Sequence, residues 1–179
     1  MDEDFLAPCI DERRRLVEKE GEWLERYVES FFKLSGFGTR RGLRVNMDAK
    51  NLPDVTHEFD VVASLPGLGA PIYVECKDVG FFKKELVDVF VGKLTDVDYS
   101  AAVLVTSNQA HSELEKYRNY CSRKGIAFFD GNEIDVFLNG LAGVGDLVGR
   151  QAFIVERLGA RVSEKKRGFF WRFFGWLRR

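Results

Sequence analysis

Hydrophobic positions recur along this chain with two spacings, one helical and one extended. Between Trp23 and Leu34 they recur every three or four residues, which predicts an amphipathic helix. Residues 57–62 and Ile72–Lys77 are instead short runs rich in Val, Ile, Phe and Tyr, and turn residues such as Pro and Gly bound them. Runs of this kind are typical of buried strands.

The same two spacings continue to about residue 140. They predict helices over 84–97 and 110–123, strands over 101–106 and 125–130, and a last short helix through Phe137 and Leu138 that Asn132 caps. About 180 residues with 45% hydrophobic composition suffice for one domain with a substantial core. We therefore expect a single α/β domain whose alternating core elements end near residue 140.

Three charged residues interrupt the two apolar strands. Glu75 and Lys77 share one face of their strand because side chains alternate, and fourteen residues separate Asp60 from Glu75, enough for a turn and a return strand. Asp, Glu and Lys are poor strand formers, and charges are rarely buried unless paired or bound to metal. Each residue alone also fits a strand end or a solvated ion pair. Together they predict a site for a hard cation beside a positive charge.

Glu25 is the mid-helix acid best placed to face the sheet. On a helical wheel it lies at the edge of the apolar stripe, beside Phe32, whereas Glu22 and Glu29 lie further toward solvent. The alternative interpretation is a boundary residue with a solvated head group.

These residues resemble the PD-(D/E)xK nuclease superfamily, and within it the Mrr-type restriction endonucleases and archaeal Holliday-junction resolvases. The matching segments are EFDVV at 58–62 and VECK at 74–77; the leading Pro of the family motif is absent. The family also places a Glu about three turns before a Gly-aromatic pair, and Glu25 lies eleven residues before Gly36. The resemblance covers roughly residues 20–140.

The resemblance implies a restriction-endonuclease-like core, a central mixed sheet flanked by helices, and metal-dependent hydrolysis of DNA. Asp60, Glu75 and the backbone carbonyl of Cys76 would bind Mg²⁺, or Mn²⁺ as a substitute, with Glu25 as an outer or second-site ligand. Lys77 would orient the attacking water or stabilise developing negative charge. A junction resolvase cuts two strands symmetrically, so a homodimer would follow.

Basic residues are unevenly distributed. The net charge is −1, and residues 162–179 hold six basic side chains and one acidic, so the rest of the chain is acidic. Within that part, Arg40, Arg41 and Arg44 precede the Asp60 strand, and Lys83 and Lys84 follow the Lys77 strand. They are candidates for DNA phosphate contacts; a solvated surface is the alternative for each cluster.

The last residues form a separate segment. We divide the chain into a nuclease domain at 1–161 and a basic aromatic tail at 162–179, which is predicted to form an amphipathic helix. Phe and Trp cover one side of its wheel and Arg the other. Residues 165–179 therefore suit a membrane surface, a protein partner (including a second copy), or single-stranded bases.

Compartment and alternative functions follow from the same features. Three widely spaced cysteines, Cys9, Cys76 and Cys121, suit a reducing cytoplasm, and Cys76 is expected in the core. The acidic start is unlike a secretory signal, so we expect a cytoplasmic protein, with peripheral attachment to a membrane left open. Two other functions stay open: a nuclease-fold binding module with weak catalysis, and a membrane-associated accessory protein acting through the tail.

Overall fold

The computed structural model describes residues 22–46, 56–108 and 111–160. In chain order the elements are α1 (Trp23–Leu34), β1 (Gly38–Asn46), β2 (Thr56–Ser64), β3 (Ile72–Lys77), α2 (Lys84–Thr95), β4 (Ala101–Thr106), α3 (His111–Arg123), β5 (Ile126–Phe129), α4 (Gly131–Ala142) and α5 (Leu147–Arg157). The predicted α/β class is confirmed.

The strands form one mixed sheet in the order β1-β2-β3-β4-β5. β1, β2 and β3 pair antiparallel, whereas β3, β4 and β5 pair parallel. Helices α2 and α3 supply the crossovers that parallel neighbours need. β3 is therefore the central strand, at the change from antiparallel to parallel pairing.

Each face of the sheet carries its own hydrophobic core. One core joins the sheet to α1, α4 and α5, and its sheet residues include Val61, Val74, Cys76 and Val103. The other joins it to α2 and α3, and includes Phe59, Tyr73 and Leu104. A sheet covered on both faces makes its central strands almost continuously apolar. This explains why β3 and β4 read as apolar runs in the sequence.

Strand β2 separates from β3 at Asp60. Within these two described strands, paired positions run only from Val61 to Ala63. Phe59 packs in the α2–α3 core and Val61 in the α1 core, although strict alternation would place them on one face. The strand therefore turns between them, and the opening leaves the backbone of Cys76 within reach of the Asp60 side chain.

Two elements lie where the sequence analysis predicted none. β1 contains Arg40, Arg41 and Arg44, and its residues alternate between exposed and half-buried. α5 follows the last predicted helix and buries Ile154 and Val155 in the first core. The expectation that core elements end near residue 140 is therefore wrong.

The cap of α4 also differs from the expectation. Asp130, at the end of β5, accepts hydrogen bonds from the backbone N–H groups of Asn132 and Glu133, each at 2.9 Å. The Glu133 carboxylate accepts in return from Asp130 N, which completes a capping box. Asp130 is the cap rather than Asn132, because its extended backbone lets its carboxylate reach the first turn.

The predicted tail at 162–179 lies outside the described residues, as does Cys9. The tail's ligand therefore stays a prediction. In the part of the chain that is described, no helix is long and apolar enough to cross a bilayer.

Candidate active site

Asp60, Glu75 and Lys77 meet where β2 and β3 separate. The Lys77 Nζ lies 2.8 Å from Glu75 Oε1 and 3.8 Å from Asp60 Oδ2. Asp60 Oδ2 also accepts a hydrogen bond of 2.7 Å from the backbone N–H of Cys76. One ammonium group thus joins two carboxylates that come from different strands, as the spacing in the sequence predicts.

Burial makes this cluster unusual. Glu75 is only 2% exposed, although it is an acid on the central strand. The side chains of Lys77 and Asp60 are 24% and 19% exposed, so solvent reaches the cluster from their side. A buried carboxylate is tolerated only when it is paired and hydrogen-bonded. Glu75 meets that condition through lysines.

The second of those lysines is Lys93, which the sequence analysis missed. It lies in the last turn of α2, and its Nζ is 2.9 Å from both Oε1 and Oε2 of Glu75. The same Nζ donates to the backbone carbonyl of Glu58 at 2.8 Å. Lys93 therefore bridges α2 to both strands of the opening.

Glu25 lies on α1, close enough to Asp60 for the two charges to interact. Burial raises the pKa of Glu25, and the negative charge of Asp60 raises it further, while Arg41 and Lys77 act in the opposite direction. These influences place Glu25 within electrostatic reach of Asp60, Lys77 and Arg41. Glu25 is half-buried, which agrees with its predicted position at the edge of the apolar stripe.

The other predicted basic residues are placed differently. Arg44 is exposed and pairs with Glu58 at 2.9 Å, and Lys84 pairs with Asp88 on the outer surface of α2. Arg40 and Lys83 are exposed. Of the five candidates for DNA phosphate contacts, Arg41 lies close enough to Glu25 for its charge to lower the pKa of that carboxyl.

Burial also changes the acid–base properties of the cluster. It raises the pKa of Asp60, and the nearby charge of Glu75 raises it further. Burial alone would lower the pKa of Lys77, but the hydrogen bond and charge of Glu75 raise it overall. The contact with Glu75 therefore favours the charged form of Lys77. Burial holds the pKa of the Cys76 thiol well above its ordinary value, so this sulfur is a neutral core group.

The loop after β3 is fixed by Asp78. Its carboxylate accepts hydrogen bonds from Trp23 Nε1, at the start of α1, and from Ser107 Oγ, just after β4. Thr106 Oγ1 adds a hydrogen bond of 2.8 Å to the Lys77 carbonyl. Contacts from α1 and from the end of β4 thus hold the strand end that carries Lys77. A rigid strand end of this kind keeps a functional group in place.

The donor set fits a hard divalent cation. Carboxylate and carbonyl oxygens are the ligands that Mg²⁺ and Mn²⁺ prefer, and Asp60 and Glu75 bring two carboxylates to one side of Lys77. Among the described residues no three His, Cys, Asp or Glu side chains converge to hold a metal. Asp60, Glu75 and the backbone carbonyl of Cys76 remain the candidate donors for a cation.

Comparison with known proteins finds a family model and a solved structure that are similar to this chain. Residues 16–138 match the Mrr_cat family model, described as restriction endonuclease. A solved structure of AF1548, a protein of unknown function, is similar over 59% of this chain and 55% of that one, with 20% identity and a TM-score of 0.46. None of the curated proteins matches the chain.

The matched region contains every strand of the sheet and the whole acidic cluster. It also covers more than half of the chain. The chain therefore belongs to the Mrr_cat family and carries a restriction-endonuclease-like nuclease domain.

Proposed function

We propose that this domain is a Mg²⁺-dependent DNA endonuclease with its active site at the opening between β2 and β3. The observation that carries the proposal is the single ammonium of Lys77 in contact with Asp60 and Glu75. Two acids and a lysine on diverging strands supply both a cation site and a fixed positive charge. Hydrolysis of a phosphodiester needs both.

Each residue has a separate role in the proposal. Asp60, Glu75 and the Cys76 carbonyl hold the cation, which supplies an activated water and neutralises charge on the scissile phosphate. Lys77, kept protonated by its carboxylate neighbours, stabilises the negative charge that develops in the transition state. Glu25 holds water or a second cation at the outer side of the cluster.

Arg41 is the proposed contact for the DNA backbone nearest the site. It lies on β1, is partly exposed, and pairs weakly with Glu22 at 3.6 Å. An exposed ion pair of this length contributes little and exchanges readily for a phosphate. Arg40, Arg44, Lys83 and Lys84 would then contribute more distant, salt-sensitive contacts.

The finer aspects of substrate and assembly are also proposals. A junction-resolvase-like activity would require a two-fold dimer so that two active sites cut two strands.

The tail at 162–179 would bind the cytoplasmic face of a membrane or a protein partner. Flotation with anionic vesicles tests this: full-length protein should float and a chain ending at Val162 should not. Loss of dimeric mass in the shortened chain, with no flotation of the full chain, would instead make the tail a dimer contact.

The experiment for the function is a cleavage assay on branched, linear and modified DNA, with Mg²⁺ and with EDTA. Wild type should cleave one of these classes only with the cation. Asp60→Ala and Glu75→Ala should lose cleavage and Mn²⁺ binding by calorimetry while staying folded. Asp88→Ala, which removes an exposed acid on α2, is the matched control. Unchanged Mn²⁺ affinity in both site variants would contradict the metal site.

A further inference from the structure

Lys93 makes more contacts with Glu75 than Lys77 does. Its three ammonium hydrogens have three acceptors: Glu75 Oε1 and Oε2 at 2.9 Å each, and the Glu58 carbonyl at 2.8 Å. An ammonium offers three donors, so this one is fully engaged. Glu75, for its part, has both oxygens occupied, one of them by two lysines.

The surroundings hold Lys93 in this position. Its side chain is 19% exposed, and its Nζ lies 5.8 Å from the centre of the Phe59 ring, an additional favourable contact for a cation. It also lies in the last turn of α2, where the helix dipole favours positive charge. The contact between Lys93 and Glu75 is therefore largely shielded from solvent, unlike the exposed pair of Lys84 and Asp88 on the same helix.

The charges of the cluster cancel. Asp60 and Glu75 contribute two negative charges, and Lys77 and Lys93 two positive ones. When a divalent cation approaches Glu75, both carboxylate oxygens of Glu75 already accept hydrogen bonds from lysines, and the negative charge of Glu75 is already neutralised. Like charges a few ångströms apart repel strongly in a partly buried site. Binding of the cation and both ammonium groups to Glu75 at the same time is therefore electrostatically unfavourable.

We propose that Lys93 is an internal competitor for the metal, occupying Glu75 until a cation replaces it. This inference rests on the proposed function, because it takes Glu75 as a metal ligand. Cation binding would require Glu75 to exchange Lys93 for the metal, so that the site binds metal weakly on its own. A DNA phosphate adds negative charge beside the lysines, so metal and DNA would bind cooperatively.

The alternative to competition is that Lys93 positions Glu75, holding its carboxylate in the orientation that the metal needs. The two roles predict changes of opposite sign. Removing a competitor tightens metal binding, whereas removing a positioning contact weakens it. The sign of the change in Mn²⁺ affinity therefore decides between them.

The test is Mn²⁺ binding to the full chain without DNA, measured by electron paramagnetic resonance. Lys93→Gln removes the charge while its amide still donates a hydrogen bond, and it should bind Mn²⁺ tenfold or more tightly. Lys93→Arg keeps the charge and should bind no more tightly than wild type. Lys116→Gln, which removes an exposed charge from α3, is the matched control and should leave the affinity unchanged. Equal or weaker binding by Lys93→Gln overturns the proposal.

A second readout uses the wild type alone, so the test does not depend on the folding of a variant. The Lys93 ammonium should give a protected NMR signal that shifts or broadens when diamagnetic Mg²⁺ is added. A signal that stays unchanged while the cation binds would contradict the exchange. If wild type and Lys93→Gln both fail to bind Mn²⁺, the metal site itself is wrong. If wild type binds and Lys93→Gln binds no more tightly, only the role of Lys93 is wrong.

Discussion

β3 and β4 are neighbouring parallel strands with the same length and nearly the same burial, yet one carries charges and the other does not. Their register pairs Glu75 with Leu104 and Lys77 with Thr106. Glu75 is 2% exposed and Leu104 is 0% exposed. The same level of the sheet thus holds a charged side chain on one strand and an apolar one on the next.

This comparison distinguishes residues that stabilise the fold from charged residues whose burial the fold must compensate. Leu104 packs in the α2–α3 core, where burial of an apolar side chain is favourable by about 1.5–3 kcal/mol. Glu75 at the same depth loses hydration and requires Lys77 and Lys93 to compensate. A protein that needed only stability would place another apolar residue there. We interpret the charges on β3 as functional for this reason.

The largest expected effect is on catalysis and comes from the charged strand. Lys77→Ala should lower the cleavage rate by two or more orders of magnitude, about 3 kcal/mol of barrier, with little change in DNA affinity. Single-turnover cleavage and a separate binding titration measure the two quantities. Lys116→Ala is the control, because it removes an exposed lysine of α3 that has no part in the proposed site or DNA contacts. Near wild-type cleavage by Lys77→Ala would make Lys77 a structural charge only.

The next effect is on stability and comes from the apolar strand. Leu104→Ala should lower the free energy of unfolding by about 2–5 kcal/mol, since it leaves a cavity in a fully buried position. Urea denaturation measures the loss. Mn²⁺ affinity of the folded protein should stay close to wild type. A large loss of metal binding at full folding would show that β4 belongs to the site, and the contrast between the strands would fail.

A smaller effect on stability, opposite in sign to that of Leu104→Ala, is expected from a substitution of Asp60. Burial raises the pKa of Asp60, so its ionised form destabilises the folded state once pH exceeds the unfolded pKa of about 4. Asp60→Asn keeps an acceptor for the Cys76 N–H and removes the charge. In EDTA its melting temperature should exceed that of wild type at pH 7, and the difference should shrink toward pH 4. A variant less stable than wild type at pH 7 would contradict this.

The sequence predicted the acidic cluster because its members break strong local patterns. Asp60, Glu75 and Lys77 are charged residues inside apolar strands, and alternation places the last two on one face. Their meeting point also depends on where β2 leaves β3, which no local pattern specifies. The spacing between Asp60 and Glu75 was sufficient for the prediction because a short turn brings the second strand back beside the first.

Lys93 could not be predicted in the same way. On α2 it lies beside the buried stripe of Val87, Phe90 and Leu94, where a lysine ordinarily extends its amine into solvent. Only the distance between α2 and β3 shows that the amine reaches Glu75. β1 was missed for a related reason: its alternation of exposed and half-buried residues includes three arginines and little apolar signal.

We propose cation-dependent DNA cleavage by the cluster at the opening between β2 and β3, and one substitution can contradict it. Asp60→Asn tests it most directly, because the variant removes a proposed metal ligand while its fold should be at least as stable as wild type. Cleavage should be measured with Mg²⁺ on the DNA class that wild type cuts, alongside the melting temperature. We expect at least a hundredfold loss of cleavage with no loss of stability. Cleavage at the wild-type rate by the folded variant would contradict it.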